Sequence, residues 1–295
     1  MTALSSRGLT GLKKGQIMRF WGLAIGTAIL SLSSLSSRAV ADQACFSLRG
    51  DEAIAACTRD IENSQDTTRG RRSRAIAYNN RGDAYRAKGD IDLAIADYDE
   101  AIVLDPNYAH AYYNRGNVFG DDKGDASRAI ADFNDAIRLN PNYLAAYFSR
   151  ARAYFYSGNS ANALADIGHA AQLSPKDAYM ALWLDVIAQR ANAPSRLTES
   201  ISSIDMTVWP APVVQLFVGR LTPTAVLAAA EDDDPEKKKG KVCEANFYGG
   251  ELALRQKSSM DEAVRQLRLA AAACPPNFAE SFAAKAELKA LGITP

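Results

Sequence analysis

The sequence predicts an all-α fold of helix-turn-helix units stacked into a superhelix, with extra helical hairpins at the C-terminal end. Three observations carry this. Five columns recur at steps of 34 or 35 residues: Gly82, Gly116 and Ala151; Tyr85, Phe119 and Tyr154; Ala94, Ala129 and Ala163; Ala101, Ala136 and Ala170; Pro106, Pro141 and Pro175. Within each unit, apolar residues recur at helical spacing, with Gly or Pro between the runs. The 295-residue chain is 47% apolar and 23% charged, which excludes a wholly disordered chain and a polytopic membrane protein.

The first 41 residues read as an address. Arg7, Lys13, Lys14 and Arg19 precede an apolar run from Phe20 to Leu30, and Ala39-Val40-Ala41 supplies a small-x-small cleavage site. Residues 1–41 are therefore expected to be a secretory signal peptide, with Met18 as an alternative start. An uncleaved anchor is the weaker reading, because five serines between 31 and 37 shorten the apolar span. The leader holds five basic groups and no acidic one, leaving 29 basic against 34 acidic groups in the rest. A mildly acidic body is a poor partner for nucleic acid, whose affinity comes from basic groups on phosphates.

Residues 42–74 read as an N-terminal helical cap, Asp51 to Ile61 resembling a repeat's second helix, followed by a basic connector from Arg69 to Arg74. The repeats span 75–108, 109–143 and 144–177, the second one residue longer at Asp121-Asp122-Lys123-Gly124. In the first, Tyr78, Arg81, Gly82 and Tyr85 share a helix face. Lys88-Gly89-Asp90 stops that helix and caps the next, and Asp105-Pro106 ends the second. Acidic pairs such as Asp97/Asp99 and Asp132/Asp135 fall on repeat helices and read as solvated faces or caps.

These columns resemble the tetratricopeptide repeat (TPR) family, in its order of aromatic, Gly/Ala, Tyr, Ala, aromatic, Ala and Pro. The resemblance implies a right-handed superhelix with a concave protein-binding groove. Its groove columns fall on Asn79, Asp83 and Arg86, on His110, Tyr113 and Asn117, and on Phe148, Arg152 and Phe155. Asn amides pair with peptide backbone and aromatic rings offer apolar contact. The carboxylate clamp of chaperone-binding TPRs is not supported, since Asn79 and Tyr113 stand where its Lys belongs.

After the repeats, residues 178–193 read as a capping helix. Residues 194–240 form an irregular connector with short helices and a charged run, Glu231 to Lys241. Residues 241–295 return to TPR-like helices over Val242–Lys257, Met260–Ala273 and Phe278–Leu291, with Gly250 and Ala263 echoing the Gly and Ala columns. Trp209-Pro210, Leu216-Phe217-Val218-Gly219 and the stretch Cys243-Glu244-Ala245-Asn246-Phe247-Tyr248-Gly249-Gly250-Glu251 resemble the C-terminal half of NlpI-like periplasmic TPR proteins. That resemblance implies a non-catalytic adaptor bringing envelope proteases and murein hydrolases together. Asp42-Gln43-Ala44 before Cys45 departs from the lipobox of such proteins, which places outer-membrane anchoring outside what transfers.

Four cysteines in an exported chain permit disulfides, and hairpin geometry pairs Cys45 with Cys57 and Cys243 with Cys274. Only His110 and His169 are present, in different repeats, and no zinc spacing, phosphate loop or nucleophile elbow occurs. No catalytic residue, cofactor or metal is therefore expected. The chain reads as a periplasmic scaffold for proteins or peptides, its C-terminal hairpins candidates for a second partner surface or a homodimer contact. The alternatives are an envelope hydrolase with a cryptic site in 195–240 and a self-assembling structural protein.

Overall fold

The computed structural model describes residue 45 and residues 48–256, 259–275 and 278–294. The signal-peptide reading of 1–41 lies outside them. The described residues form an all-α chain without strands. None of their helices is long and apolar enough to cross a membrane.

Helix α1 (Gly50–Asn63) precedes three helix pairs: α2 (Thr68–Lys88) with α3 (Ile91–Leu104), α4 (Ala109–Asn117) with α5 (Ala126–Leu139), and α6 (Leu144–Tyr156) with α7 (Ser160–Leu173). Helix α8 (Ala178–Arg190) follows, then the short α9 (Leu197–Ser200), α10 (Ala211–Phe217) and α11 (Pro223–Ala229). The chain finishes with α12 (Pro235–Gln256), α13 (Met260–Ala273) and α14 (Ala279–Ala290). The turns follow from local chemistry. Gly89 takes φ 86° to end α2, and the side chains of Asp125, Asn159 and Asp177 accept from backbone N–H groups to start α5, α7 and α8.

Two segments read as connectors are helical. Residues 68–74 are the first two turns of α2, capped by Thr67, whose hydroxyl accepts from the Gly70 N–H. The charged run after Asp234 is the start of α12, because the Asp234 side chain accepts from the N–H groups of Glu236 and Lys237, with Pro235 between. The extra residue of the second unit is absorbed as one wide π-helical turn, Val118–Asp122, in which the Lys123 N–H reaches back to the Val118 carbonyl.

Close helix approach explains the small columns. A Cβ at Gly82 would lie 2.7 Å from the Tyr98 ring, and one at Gly116 2.8 Å from Phe133. Gly250 repeats this contact against Leu267 at 2.9 Å, so α12 and α13 pack as a fourth unit of the same kind. Ala94, Ala129, Ala163 and Ala263 are fully buried at the matching position of each second helix.

Each of the three central units also carries a buried clamp. Arg81 grips Asp97 through two bonds of 2.8 Å, Arg115 grips Asp132 at 2.9 and 2.6 Å, and Arg150 grips Asp166 at 2.7 Å twice. The remaining guanidinium nitrogen donates to the preceding unit's second helix, at Thr58, Asp99 and Asn134 respectively. Asp97 and Asp132 are thus 5% exposed structural anchors, not the solvated faces their spacing suggested. The arginine columns brought to them by helix pairing are the reason. In the fourth unit Gly249 and Gln266 stand in the two columns, and the Gln266 amide fills the room a side chain at 249 would need.

The C-terminal unit folds back on the array. Trp183 of α8 stacks on Phe247 of α12 at 5.5 Å, and Phe148 of α6 meets Trp183 edge-on at 5.6 Å. Disulfides join Cys45 to Cys57 and Cys243 to Cys274, with Cα separations of 4.7 and 4.9 Å. Two disulfides are consistent with an oxidising compartment. Helix α14 crosses the concave wall: the Arg86 guanidinium of α2 lies 5.9 Å from the Phe282 ring, and Arg190 of α8 donates to Glu287 at 3.0 Å.

Candidate protein-binding groove

The groove columns lie on the first helix of each unit, whose glycine face, at Gly82 and Gly116, packs on the second helix. The structure divides the nine groove-column residues into two groups. Asp83, His110 and Tyr113 lie on an open half, with Asn79 buried beneath them. The Asn114 amide donates to both Asn79 Oδ1 and Asp83 Oδ1 at 3.0 Å, and the Tyr98 hydroxyl donates to Asp83 at 2.7 Å. Protein crowding around the concave wall desolvates the Asp83 carboxyl, although the residue is exposed, and pushes it up to about 6 against the pull of Tyr98 and Arg86.

An aromatic patch surrounds this carboxylate. His110 lies between Tyr108, at 5.8 Å, and Tyr143, at 5.1 Å, and Tyr113 meets Tyr143 at 5.0 Å. His110 is exposed and the three tyrosines are half-buried. Burial and the nearby Asp83 push the Tyr108 and Tyr143 hydroxyls upward, so both stay protonated donors at neutral pH. Tyr108 and Tyr143 are additions to the groove columns. Their signal in the sequence is the repeated Pro106-Asn107-Tyr108 and Pro141-Asn142-Tyr143.

The other half is covered by the chain itself. Phe148 packs on Trp183, Phe155 is 6% exposed beneath the Arg190 guanidinium, and Arg152 is 8% exposed. Between the halves the π-helical turn aims Asp121 into the groove. Arg152 donates to Asp121 at 2.7 Å, while Arg86 donates to Asp121 at 3.4 Å and to Asp122 at 2.7 Å. Three successive units are tied along their concave side by this ladder. Asn117 is buried in the wall and lines a cleft of ≈ 550 Å³ between the wall and α14.

Beneath α14 lies a set of buried carboxyls outside the groove columns. Arg190 donates to Glu251 at 3.1 Å and Glu287 at 3.0 Å, while Tyr179 and Trp209 donate to Glu244 at 3.0 and 2.7 Å. Desolvation pushes Glu251 up to about 8 and Glu244 up to about 7, and raises Glu280 and Glu287. Among the described residues, no group of three or more His, Cys, Asp or Glu is placed to hold a metal ion.

Comparison with known families fits this geometry. Residues 82–121 match a model described as TPR repeat, and residues 109–143 and 144–177 each match the tetratricopeptide repeat. The chain carries tetratricopeptide repeats. Similar solved structures include YrrB, described as a TPR protein with an unusual peptide-binding site, at 21% identity over 79% of this chain and 99% of that one, TM-score 0.43. The first TPR of Spaghetti (RPAP3) bound to the HSP90 peptide SRMEEVD is 25% identical over 41% of this chain and 96% of its own, TM-score 0.40. TTC0263, a thermophilic TPR protein in Thermus thermophilus, is 18% identical over 72% and 99%, TM-score 0.43.

Proposed function

We propose that this chain is a non-catalytic scaffold of the bacterial periplasm that holds a protein or peptide segment in the open half of its groove. One observation carries the reading. Tyr108, His110, Tyr113 and Tyr143 form a solvent-facing aromatic patch around Asp83 on the concave wall, with ring separations of 5.0 to 5.8 Å. Rigid aromatic rings give large contact area at low entropic cost, and the Asp83 carboxylate and tyrosine hydroxyls offer acceptors and donors to a backbone. Export is supported by the signal-like leader and by the two disulfides.

The C-terminal stretch from Cys243 to Glu251, by its resemblance to NlpI-like adaptors, favours envelope proteases or murein hydrolases as partners. Holding one partner in the groove and another on the C-terminal unit would raise the local concentration of the second. The test is crosslinking in intact cells, then affinity purification and mass spectrometry, with His110→Ala/Tyr113→Ala beside wild type. Recovery of an envelope protease or murein hydrolase with wild type and its loss in the variant supports the adaptor. Equal recovery with both proteins moves the site out of the open groove. Recovery of the chain alone makes a homodimer or larger self-assembly the better account.

A further inference from the structure

The cleft of ≈ 550 Å³ between the second and third units and α14 has no part in the open groove. Its volume falls within the range of about 300–1,000 Å³ that preformed ligand sites occupy. Phe133, Ala153 and Tyr156 form one wall, and Phe282 and Ala286 the other. Lys285 and Lys289 stand one turn apart at the mouth, exposed, and neither ammonium takes part in an ion pair among the described residues. The cleft's one carboxylate, Asp121, is already shared by Arg86 and Arg152.

Two buried donors in the lining also lack acceptors. The Arg152 Nε–H and the Tyr156 hydroxyl have no hydrogen-bond partner among the described residues, and the Arg152 side chain is only 9% exposed. Burial holds the Tyr156 hydroxyl protonated. Unpaired buried donors are costly, so a ligand that supplies acceptors gains from satisfying them. The cleft therefore combines apolar walls, two ammonium groups at its mouth without a carboxylate partner, Lys285 lying 5.9 Å from the Phe282 ring, and orphaned donors in its wall. Two groove-column residues, Asn117 and Arg152, also line it.

We infer that this cleft is a second recognition site, and that it takes a short peptide segment carrying an Asp or Glu side chain beside an apolar one. The carboxylate would sit between Lys285 and Lys289, with the apolar side chain between Phe133 and Phe282. This deepens the scaffold reading and rests on it, since the cleft would give a partner held in the groove a second point of attachment.

The test is selection of phage-displayed random dodecapeptides on the full-length protein. Enriched peptides are then synthesised and their affinities measured by fluorescence anisotropy. The variants are Lys285→Glu/Lys289→Glu and His110→Ala/Tyr113→Ala, each checked for native helicity by circular dichroism. Lys285→Ala/Lys289→Ala serves as a milder second pair. Peptides with Asp or Glu next to an apolar residue are expected. The charge-reversed pair should weaken their binding at least about ten-fold and remove its salt dependence, because steering and contact at this mouth are electrostatic. Neutral or basic consensus peptides, or acidic ones that bind the charge-reversed pair unchanged, overturn the inference. If binding is indifferent to the lysines but lost in His110→Ala/Tyr113→Ala, the cleft fails while the groove reading stands. If no peptide is enriched, both fail.

Discussion

Asp166→Asn tests whether the Arg–Asp clamps hold the two helices of a unit together. Arg150 donates to both Asp166 oxygens at 2.7 Å, and its third nitrogen donates to Asn134 at 2.6 Å. The two side chains are 17% and 9% exposed. Breaking one side of a buried pair costs about 3–5 kcal/mol, chiefly because a charge is left uncompensated. Arg150 keeps some water and its Asn134 bond, so the loss should sit near the lower end, about 3 kcal/mol. The comparison is Asp135→Asn. Its partner Arg138 is an i,i+3 neighbour, and the pair is 43% and 62% exposed, so the change should cost no more than about 0.5 kcal/mol. Urea unfolding followed at the helical circular dichroism band reads both as midpoint shifts. A stacked array need not unfold in one step, so the midpoints must agree with those from tryptophan fluorescence. Replacing both partners, Arg150→Met with Asp166→Leu, should recover most of the loss, since no charge is then stranded. If Asp166→Asn and Asp135→Asn cost the same within about 0.5 kcal/mol, the clamps are not what joins the two helices of a unit.

Three further outcomes follow. Glu251 is held at about 8 by burial, opposite Glu287, Arg190 and Tyr156, so the folded state binds a proton that the unfolded chain releases near its ordinary carboxylate value. Stability should therefore fall as pH rises from about 4.5 to 8, by up to about 1.4 kcal/mol per pH unit for that proton, and Glu251→Gln should make melting temperature less steep against pH, leaving the part carried by Glu244. The disulfides close loops of 31 and 12 residues. Chain entropy assigns Cys243–Cys274 about 3.7 and Cys45–Cys57 about 2.8 kcal/mol, so Cys243→Ser/Cys274→Ser should lower the urea midpoint more than Cys45→Ser/Cys57→Ser. Gly168 sits in α7, where an added Cβ would meet nothing within 4 Å, whereas one at Gly250 would lie 2.9 Å from Leu267. Gly168→Ala should stabilise by about 0.8 kcal/mol and Gly250→Ala should destabilise by about 1–2, read from thermal melts.

The fold was legible because stacked repeats write their packing into periodic columns. Gly82 meets the Tyr98 ring at close range, and the same contact recurs between Gly116 and Phe133 and between Gly250 and Leu267. The fourth unit was fainter, although Gly250, Ala263, Leu267, Ala270 and Pro275 keep the spacing of Gly116, Ala129, Phe133, Ala136 and Pro141. Its aromatic columns are replaced, and Gly249 and Gln266 have erased the Arg–Asp pair. The site was less legible. A repeat pattern says which side chains face the groove, but not what else lies in it. Phe148, Arg152 and Phe155 are covered by helices that arrive from further along the chain, α14 from more than a hundred residues away. Nor does an inserted residue announce that it will widen a helical turn and aim Asp121 across three units.

The cleft itself has a physical cause in these covering helices. Helix α14 turns Ala283, Ala284 and Leu288 into the C-terminal core, where all three are fully buried. Toward the array it presents Phe282, the charged Lys285, Glu287 and Lys289, and the small Ala286 and Ala290. The facing wall sets the large Phe133 and Tyr156 beside the small Gly120 and Ala153. Where Ala286 and Ala290 oppose Gly120 and Ala153 the faces cannot interdigitate to interior density, so a gap stays between them. Contact is made instead at the edges, by Arg190 on Glu287 and by Arg86 over Phe282. Polar edge contacts of this kind are the mark of surfaces that dock rather than of cores that seal. Filling the gap with Ala286→Leu should therefore be nearly neutral for stability while abolishing any binding that depends on the cleft, and a large stability change would mean that the array-facing side of α14 is packed tightly instead.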